Sequence, residues 1–433
     1  MATLFHNAQI LTMTQTTPSL LRGAVGVKGN RIEFVSEDQS CAEQFLEQNP
    51  TAQAIDCQGK LLMPGLINTH AHTPMTLQRG TGDDVPLMDW LNNIVWPFES
   101  KQSHEDIEAG ARLGIAEMLL GGTTTVVDMY WPQVVMASAV ESMGIRALLG
   151  ENIFEGSFEQ IDQRIGQLVE RVAHSERIDA AVAPHAPYTC NIECLKNCVA
   201  VAEKYNLPMM VHLAETRDEV NIIKERYDKT PTEQLESCGV LKPSTILAHS
   251  IYLTDGDIEI IKKRGGVIAH NPQCNMKISS GVAPVPQLLA HGIPVSIGTD
   301  GVCSNNDVDM WDEMRTASFL HKLTSGSALT LPAYELLKMA TLGGAQAVGK
   351  QGELGIIAPG ALADIIVVNT SRPHHRPQHN LISSLVYCGK AADVEHVMVG
   401  GELLVENYTL KGCDLEAICH EVEERSARVF GSM

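Results

Sequence analysis

Residues 64–72 read Pro-Gly-Leu-Ile-Asn-Thr-His-Ala-His, and this short stretch decides the fold. A turn pair, Pro64-Gly65, opens an apolar run that ends in two histidines one residue apart. Side chains at i and i+2 of a strand project from the same face, so a strand here would send both imidazoles to one side at its end. Further runs of the same make-up follow: TTTVVDM at 123–129, IRALLG at 145–150, IDAAVAPHA at 178–186 and PMMVHLAE at 208–215. STILAHS at 244–250, GGVIAHN at 265–271 and PVSIGTDG at 294–301 complete the series. Most are rich in Val, Ile, Leu and Ala and bounded by Gly or Pro, as strands buried on both faces of a parallel sheet are. Between them lie stretches such as HEDIEAGARLGIAEMLLG (104–121) and CLKNCVAVAEKY (194–205), with apolar residues at i, i+3 and i+4. The alternation predicts an α/β chain built on a (β/α)8 TIM barrel, a fold that needs about 250 residues plus insertions. The competing reading is an open doubly wound sheet, and no GxGxxG follows the first strand to support it.

Both ends of the chain have a different texture. Residues 3–12, 22–36 and 53–63 look like short strands, with a turn at Gly29-Asn30. ADIIVVN (363–369) and VEHVMVGGELLVEN (394–407), with Gly400-Gly401 between two runs, look the same. The expected organisation is a composite β-sandwich from both termini, residues 1–63 and 356–433 with a C-terminal helix, around a barrel at 64–355.

Composition narrows the functions. The 433 residues carry a formal net charge of -20, a surface that repels phosphate backbones and anionic lipid heads. Neither nucleic acid nor membrane is therefore expected as a partner. There is no apolar stretch of the roughly 18 residues that a membrane-spanning helix needs. The opening MATLFHNAQILTMTQ has no basic segment before an apolar run, so the reading is a cytoplasmic protein. Eleven scattered cysteines without a CxxC pair read as reduced thiols.

The polar residues at the strand ends carry the chemistry. In such a barrel the active site lies at the C-terminal ends of the strands. His70 and His72 end the first run, His212 lies late in the fifth with Glu215 just beyond, His249 ends the sixth and Asp300 the eighth. A single histidine at a strand end is most often structural. An HxH with further titratable groups at several other strand ends is a metal-site pattern. Three imidazoles and one carboxylate suit zinc or another borderline divalent ion, with room for a water. Such an ion lowers the pKa of its water towards about 7 and supplies hydroxide at neutral pH.

The segments PGLINTHAH, HLAET, AHS and SIGTDG resemble the signatures of the amidohydrolase superfamily, in particular its mononuclear deaminase branch. HTPMTLQRGTGDDVPLMDWLNNIVWPFESK (72–101) and DGVCSNNDVDMWDEM (300–314) most resemble the 5′-methylthioadenosine/S-adenosylhomocysteine deaminases, and IIAPGALADIIVVN (356–369) resembles the superfamily's return strand. The resemblance spans nearly the whole chain. It implies that His70, His72, His212 and Asp300 hold one divalent ion per subunit, Zn2+ in the first place and Fe2+ as the alternative. Glu215 would shuttle the water proton to a ring nitrogen as a tuned acid/base. His249 would orient the attacking hydroxide, and Asp300 would help to carry a proton to departing ammonia. Glu99, in WPFES, and His185, in APHAPY, match positions that contact the ribose and the nucleoside, and Glu215 would also touch the substrate. A dimer or tetramer is implied as well.

Two departures from the family pattern stand out. Asn68 replaces the usual aspartate before the first ligand, and the fourth run ends in His185 where binuclear relatives carry a bridging lysine. One ion rather than two is therefore expected. Arg146 begins the third strand and should lie at the barrel bottom, and no arginine follows before Arg164. A guanidinium would favour an amino-acid carboxylate, so 5′-methylthioadenosine is favoured over S-adenosylhomocysteine, with adenosine as a further candidate. The alternative is a guanine or cytosine deaminase or a triazine hydrolase on the same scaffold, for which a ribose-binding Glu99 would have no purpose. A noncatalytic metal-binding protein would be expected to lose Glu215 and His249 first. Trp90 could wall the base pocket, and His270 could line it.

Overall fold

The computed structural model describes residues 2–85 and 87–433, without the side chains of residues 87 and 88. Eight parallel strands form the central barrel: β6 (Leu66–His72), β7 (Thr123–Tyr130), β8 (Arg146–Ile153), β9 (Ile178–Pro184), β10 (Met210–Leu213), β11 (Ile246–His249), β12 (Val267–His270) and β13 (Val295–Ile297). Every residue of β7 and β8 is buried, so neither strand shows the apolar–polar alternation of a half-exposed one. β9 joins β10 through a bridge between Val182 and Met209, and the two-residue β14 (Asp300–Gly301) pairs with β6 to close the ring. Thr299 also donates its backbone N–H to the carbonyl of His70 at 3.1 Å. The eight runs seen in the sequence are these eight strands, shifted by up to four residues at their ends.

Both termini build a second, smaller β domain. Its strands are β1 (Ala2–Leu11), β2 (Leu20–Lys28), β3 (Arg31–Ser36), β4 (Gln53–Asp56), β5 (Leu61–Pro64), β15 (Ile365–Val368), β16 (Val394–Val399), β17 (Glu402–Glu406) and β18 (Thr409–Leu410). They form one nine-stranded sheet in the order β18-β17-β16-β15-β5-β1-β2-β3, with β4 also on β1. Phe5, Ile10, Val25, Leu62, Ile365 and Met398 fill its core. A helix at Gln39–Gln48, capped by Asp38, was not legible as a separate element between the strands. The closing helix Leu415–Phe430 lies on the barrel helix His104–Leu120, where Arg425 and Arg428 both pair with the buried Asp106. No described helix is long and apolar enough to cross a membrane.

Arg146 stands at the start of β8, at the barrel bottom as expected, and serves the junction of the two domains. Its Nε and Nη2 donate to the two carboxylate oxygens of Asp364 at 2.8 and 3.0 Å, and both side chains are 3% exposed. Asp364 Oδ1 also accepts the backbone N–H of Gly400 at 2.8 Å. Removing one partner strands a buried charge. Asp364→Ala should therefore lower the unfolding free energy by roughly 3–5 kcal/mol, read by urea denaturation. A loss of about 1 kcal/mol or less, the value of an exposed pair, would show that the junction does not depend on this contact.

Candidate metal centre and catalytic cavity

Residues at i and i+2 of β6 reach the same rim, but at different depths. His70 is fully buried beneath the site, whereas His72 lines a cavity. The pairing of β14 with β6 sets Asp300 opposite Ala71, between the two histidines. Asp300 Oδ1 therefore lies 3.2 Å from the Nε2 of both His70 and His72. From β10, His212 brings its Nε2 to 3.3 Å from that of His72. The four ligand atoms of His70, His72, His212 and Asp300 all lie within 4.8 Å of one another.

The far side of each ring is held by the backbone. His212 Nδ1 donates to the carbonyl of His185 at 2.7 Å, and His72 Nδ1 donates to the carbonyl of Met129. Such bonds fix the tautomer and leave Nε2 facing inward. Burial pushes His70 down to about 4 and His212 well below the usual range, so both rings are neutral lone-pair donors. Burial also opposes charge on His72, but Asp300 and the Met129 carbonyl outweigh it and hold this imidazole up to about 9. A cation at the same point would take the place of that proton. His70 Nε2 is buried and makes no hydrogen bond of acceptable geometry. Converging nitrogens, one orphaned lone pair and a single carboxylate fit a divalent cation and little else.

Several backbone positions around this cluster are left-handed without being glycine: Ala214 (φ 50°), His249 (φ 69°), Ser250 (φ 51°) and Asp300 (φ 63°). Each costs roughly 1–3 kcal/mol, and such residues gather where function needs them. Neighbouring ladders hold them in place: Ser250 N–H donates to Leu213 at 2.8 Å and Tyr252 N–H to Ala214 at 3.0 Å. Asn68 ties β6 to the Asp300 segment, its Nδ2 donating to Thr299 Oγ1 at 2.8 Å and its Oδ1 accepting from Thr299 N–H at 3.1 Å. The Asn at this departure from the family pattern thus supports the ligands from behind. Gly298 is required here, since a Cβ would sit 2.8 Å from the His70 backbone N.

Two groups flank the cluster on the cavity side. Glu215 follows His212 past the end of β10, and burial raises its carboxyl above the usual range. His249 Nδ1 donates to Asn275 Oδ1 at 2.9 Å, which leaves its Nε2 3.9 Å from Glu215 Oε2 and 4.0 Å from Asp300 Oδ2. The strand-end turn carrying Glu215 is held by Glu219. Thr216 caps the helix Arg217–Tyr227, and a glutamate at the third helical position ordinarily returns to the cap's own N–H. Glu219 reaches further back instead, accepting the N–H groups of Ala214 and Glu215 at 2.9 Å each.

Aromatic side chains line the same cavity. Trp90, Trp131, Phe154 and Tyr188 line the cavity with Glu99 and His185. Burial raises Glu99 to about 7, although the Tyr130 hydroxyl donates to it at 2.8 Å. His185 stacks on Phe154 with ring centroids 4.5 Å apart, and its Nδ1 lies 2.9 Å from Thr189 Oγ1. Among the described residues that line the cavity there is no lysine or arginine. Arg164 is engaged by Glu151 and by the carbonyl of Asn152.

Of the residues singled out from the sequence, His72, Glu99, His185, His212, Glu215, His249 and Asp300 line this one cavity, and His70 lies buried beneath it. His270 lies apart. It is fully buried, and its Nε2 is 3.1 Å from that of His321. Sequence reasoning missed Glu219, Asn275 and Cys274. Only Glu219 carried a local signal, as the third helical residue behind a capping Thr.

An α/β barrel with a His-His-His-Asp cluster at its C-terminal rim is the architecture of a metal-dependent hydrolase. The chain belongs to the amidohydrolase family, whose model matches residues 61–404, and it is a hydrolase acting on carbon–nitrogen bonds. It is 41% identical over 431 residues to a 5-methylthioadenosine/S-adenosylhomocysteine deaminase of Desulfitobacterium hafniense, covering 98% of each chain. It is 40% identical over 416 residues to a 5′-deoxyadenosine deaminase of Methanothermobacter thermautotrophicus, covering 95% of each. An adenosine deaminase from Xanthomonas campestris with bound zinc superposes with a TM-score of 0.94 at 32% identity, over 99% of this chain and 98% of that one.

Glu219→Ala frees the turn that presents Glu215. Turnover should fall on the order of 100-fold, the effect of misplacing a reacting group by about 1 Å, while bound metal per chain stays unchanged. Parallel loss of metal and turnover would instead mean that Glu219 only supports the fold.

Proposed function

We propose that this chain deaminates an adenosine-type nucleoside by hydrolysis, giving the inosine analogue and ammonia, with 5′-methylthioadenosine as the favoured substrate. The observation that supports it most is a pair of titratable side chains, Glu215 and His249, beside a four-ligand cation cluster, with the half-buried Glu99 lining the same cavity. The deaminase names of the relatives and of the zinc-bound neighbour agree with this reading.

His70, His72, His212 and Asp300 would hold the ion, zinc in our reading, which when bound would supply an acidified, positioned water. Glu215, raised by burial, would take a proton from the attacking water and give it to the ring nitrogen beside the amino-bearing carbon. His249, its tautomer fixed by Asn275, offers a lone pair that orients the attacking oxygen. Asp300 would take the remaining proton of the attacking oxygen and pass it to the departing amine. Glu99 accepts the ribose hydroxyls. His185, neutral because burial pushes it to about 3, contacts the nucleoside without adding charge.

The aromatic wall decides among nucleosides. Trp131, Phe154 and Tyr188 offer apolar surface, and no described cation lines the cavity to meet a carboxylate tail. An apolar 5′ group such as methylthio therefore fits better than a zwitterionic one. A panel of adenosine, 5′-methylthioadenosine, S-adenosylhomocysteine, guanine and cytosine, assayed for ammonia with and without chelator, tests the reading. The expected order in kcat/KM puts methylthioadenosine first; a clear preference for the homocysteine compound or for a bare base would overturn it.

Glu215→Gln should keep the metal and lose turnover by at least about 100-fold, the lower bound for a general acid/base. A variant of near-normal rate would remove Glu215 from the mechanism. Glu99 gives a pH signature. Its carboxyl sits near 7, so it is neutral and a poorer acceptor below that pH and a carboxylate above it. The Kd of an inosine-type product should tighten as pH rises through about 7 and be flat in Glu99→Gln. An unchanged profile in the variant would place the titration elsewhere.

A further inference from the structure

A second set of donor atoms, of different chemistry, lies against the first. Glu215, His249 and Cys274 each offer one ligand atom, and these atoms lie within 4.8 Å of one another. Cys274 sits in the short helix Pro272–Lys277 that follows β12, fully buried, and its thiol donates to Asp300 Oδ2 at 2.7 Å. The next residue, Asn275, accepts from His249 Nδ1 and so keeps the Nε2 lone pair turned towards Glu215. The separation of 3.9 Å between His249 Nε2 and Glu215 Oε2 is too long for a hydrogen bond. It suits two ligands of one ion, given metal–nitrogen and metal–oxygen bonds of about 2.0–2.2 Å.

We propose that Glu215, His249 and Cys274 form a second, inhibitory site for a thiophilic divalent cation, such as zinc in excess or cadmium. A mixed sulfur, nitrogen and oxygen set selects such ions over magnesium or calcium. On binding, the Cys274 thiol releases its proton to solvent and the thiolate–metal bond replaces the hydrogen bond to Asp300. Asp300 Oδ2 keeps a donor in Ser304 Oγ at 3.1 Å. No electron is transferred. Inhibition rests on the functional reading above, because the ion occupies the Glu215 carboxylate and the His249 lone pair, both needed for proton transfer. The first ion remains on its own ligands, so the two occupancies are separable.

The test starts from protein loaded with one equivalent of zinc and titrates Cd2+ while following the thiolate-to-cadmium charge-transfer band in the ultraviolet. Wild type should bind one further equivalent with the band, and Cys274→Ser should lose it, whereas Cys303→Ser, another buried thiol, should keep it. Excess Zn2+ should inhibit ammonia release by the wild type. Against its own uninhibited rate, Cys274→Ser should need at least about tenfold more, the smallest loss of metal affinity that removing a supporting group produces. Cys274→Ala provides a second variant should the serine form fold poorly. A band that survives in both Cys274 variants, or no second equivalent in the wild type, overturns the proposal. Because the titration uses no substrate, that failure is distinct from failure of the deaminase reading, which would show as no ammonia at one equivalent of zinc.

Discussion

The structure depends on Asp300 being brought back against β6. The carboxylate comes from the end of the barrel, more than two hundred residues after His70 and His72, and one of its oxygens meets both imidazoles at 3.2 Å. That meeting requires the ring to close. It closes through the pairing of β14 with β6, the hydrogen bond from Thr299 to His70, and a glycine at 298 where any side chain would push the two segments apart. Asn68 bolts the same two segments together from below. Closure of the barrel and assembly of the cation cluster are thus one event, and the strained φ values at His249 and Asp300 persist because the surrounding ladders determine them.

Around that fixed point the cavity gathers titratable and aromatic groups. Glu215 lies beside His249, and Glu219 clamps the turn behind them. Trp90, Trp131, Phe154 and Tyr188 line the same cavity with Glu99. In the proposed reading a nucleoside would set its base beside Glu215, its ribose at Glu99 and its 5′ substituent against the aromatic side chains. No described residue of the small β domain lines the cavity. Its link to the barrel, Arg146 with Asp364, lies at the opposite end of β8, and Asp364 adjoins β15 of the terminal sheet.

Much of this was legible in the sequence, for identifiable reasons. Strands buried on both faces are mostly apolar, so β10, β11 and β12 stand out, and a polar residue at the end of such a run is conspicuous because nothing in the strand's packing calls for it. That is why His70, His72, His212, His249 and Asp300 could be read directly. Glu99 and His185 needed the family resemblance, since a glutamate in a loop carries no period. Cys274, Asn275 and the pairing of His270 with His321 were not legible, because each depends on which segments the barrel folds together rather than on local pattern. Glu219 lay in between. Its place behind a helix cap was visible, but its choice of the Ala214 and Glu215 amides over the cap was not. The helix Gln39–Gln48 escaped because it is short and sits between strands of the terminal sheet.

The most direct test of the account is anomalous diffraction at the zinc edge from crystals of the protein loaded with one equivalent of zinc. The account predicts a single strong peak within bonding distance of His70 Nε2, His72 Nε2, His212 Nε2 and an Asp300 oxygen. A peak elsewhere, or none despite stoichiometric zinc in the protein, would contradict it.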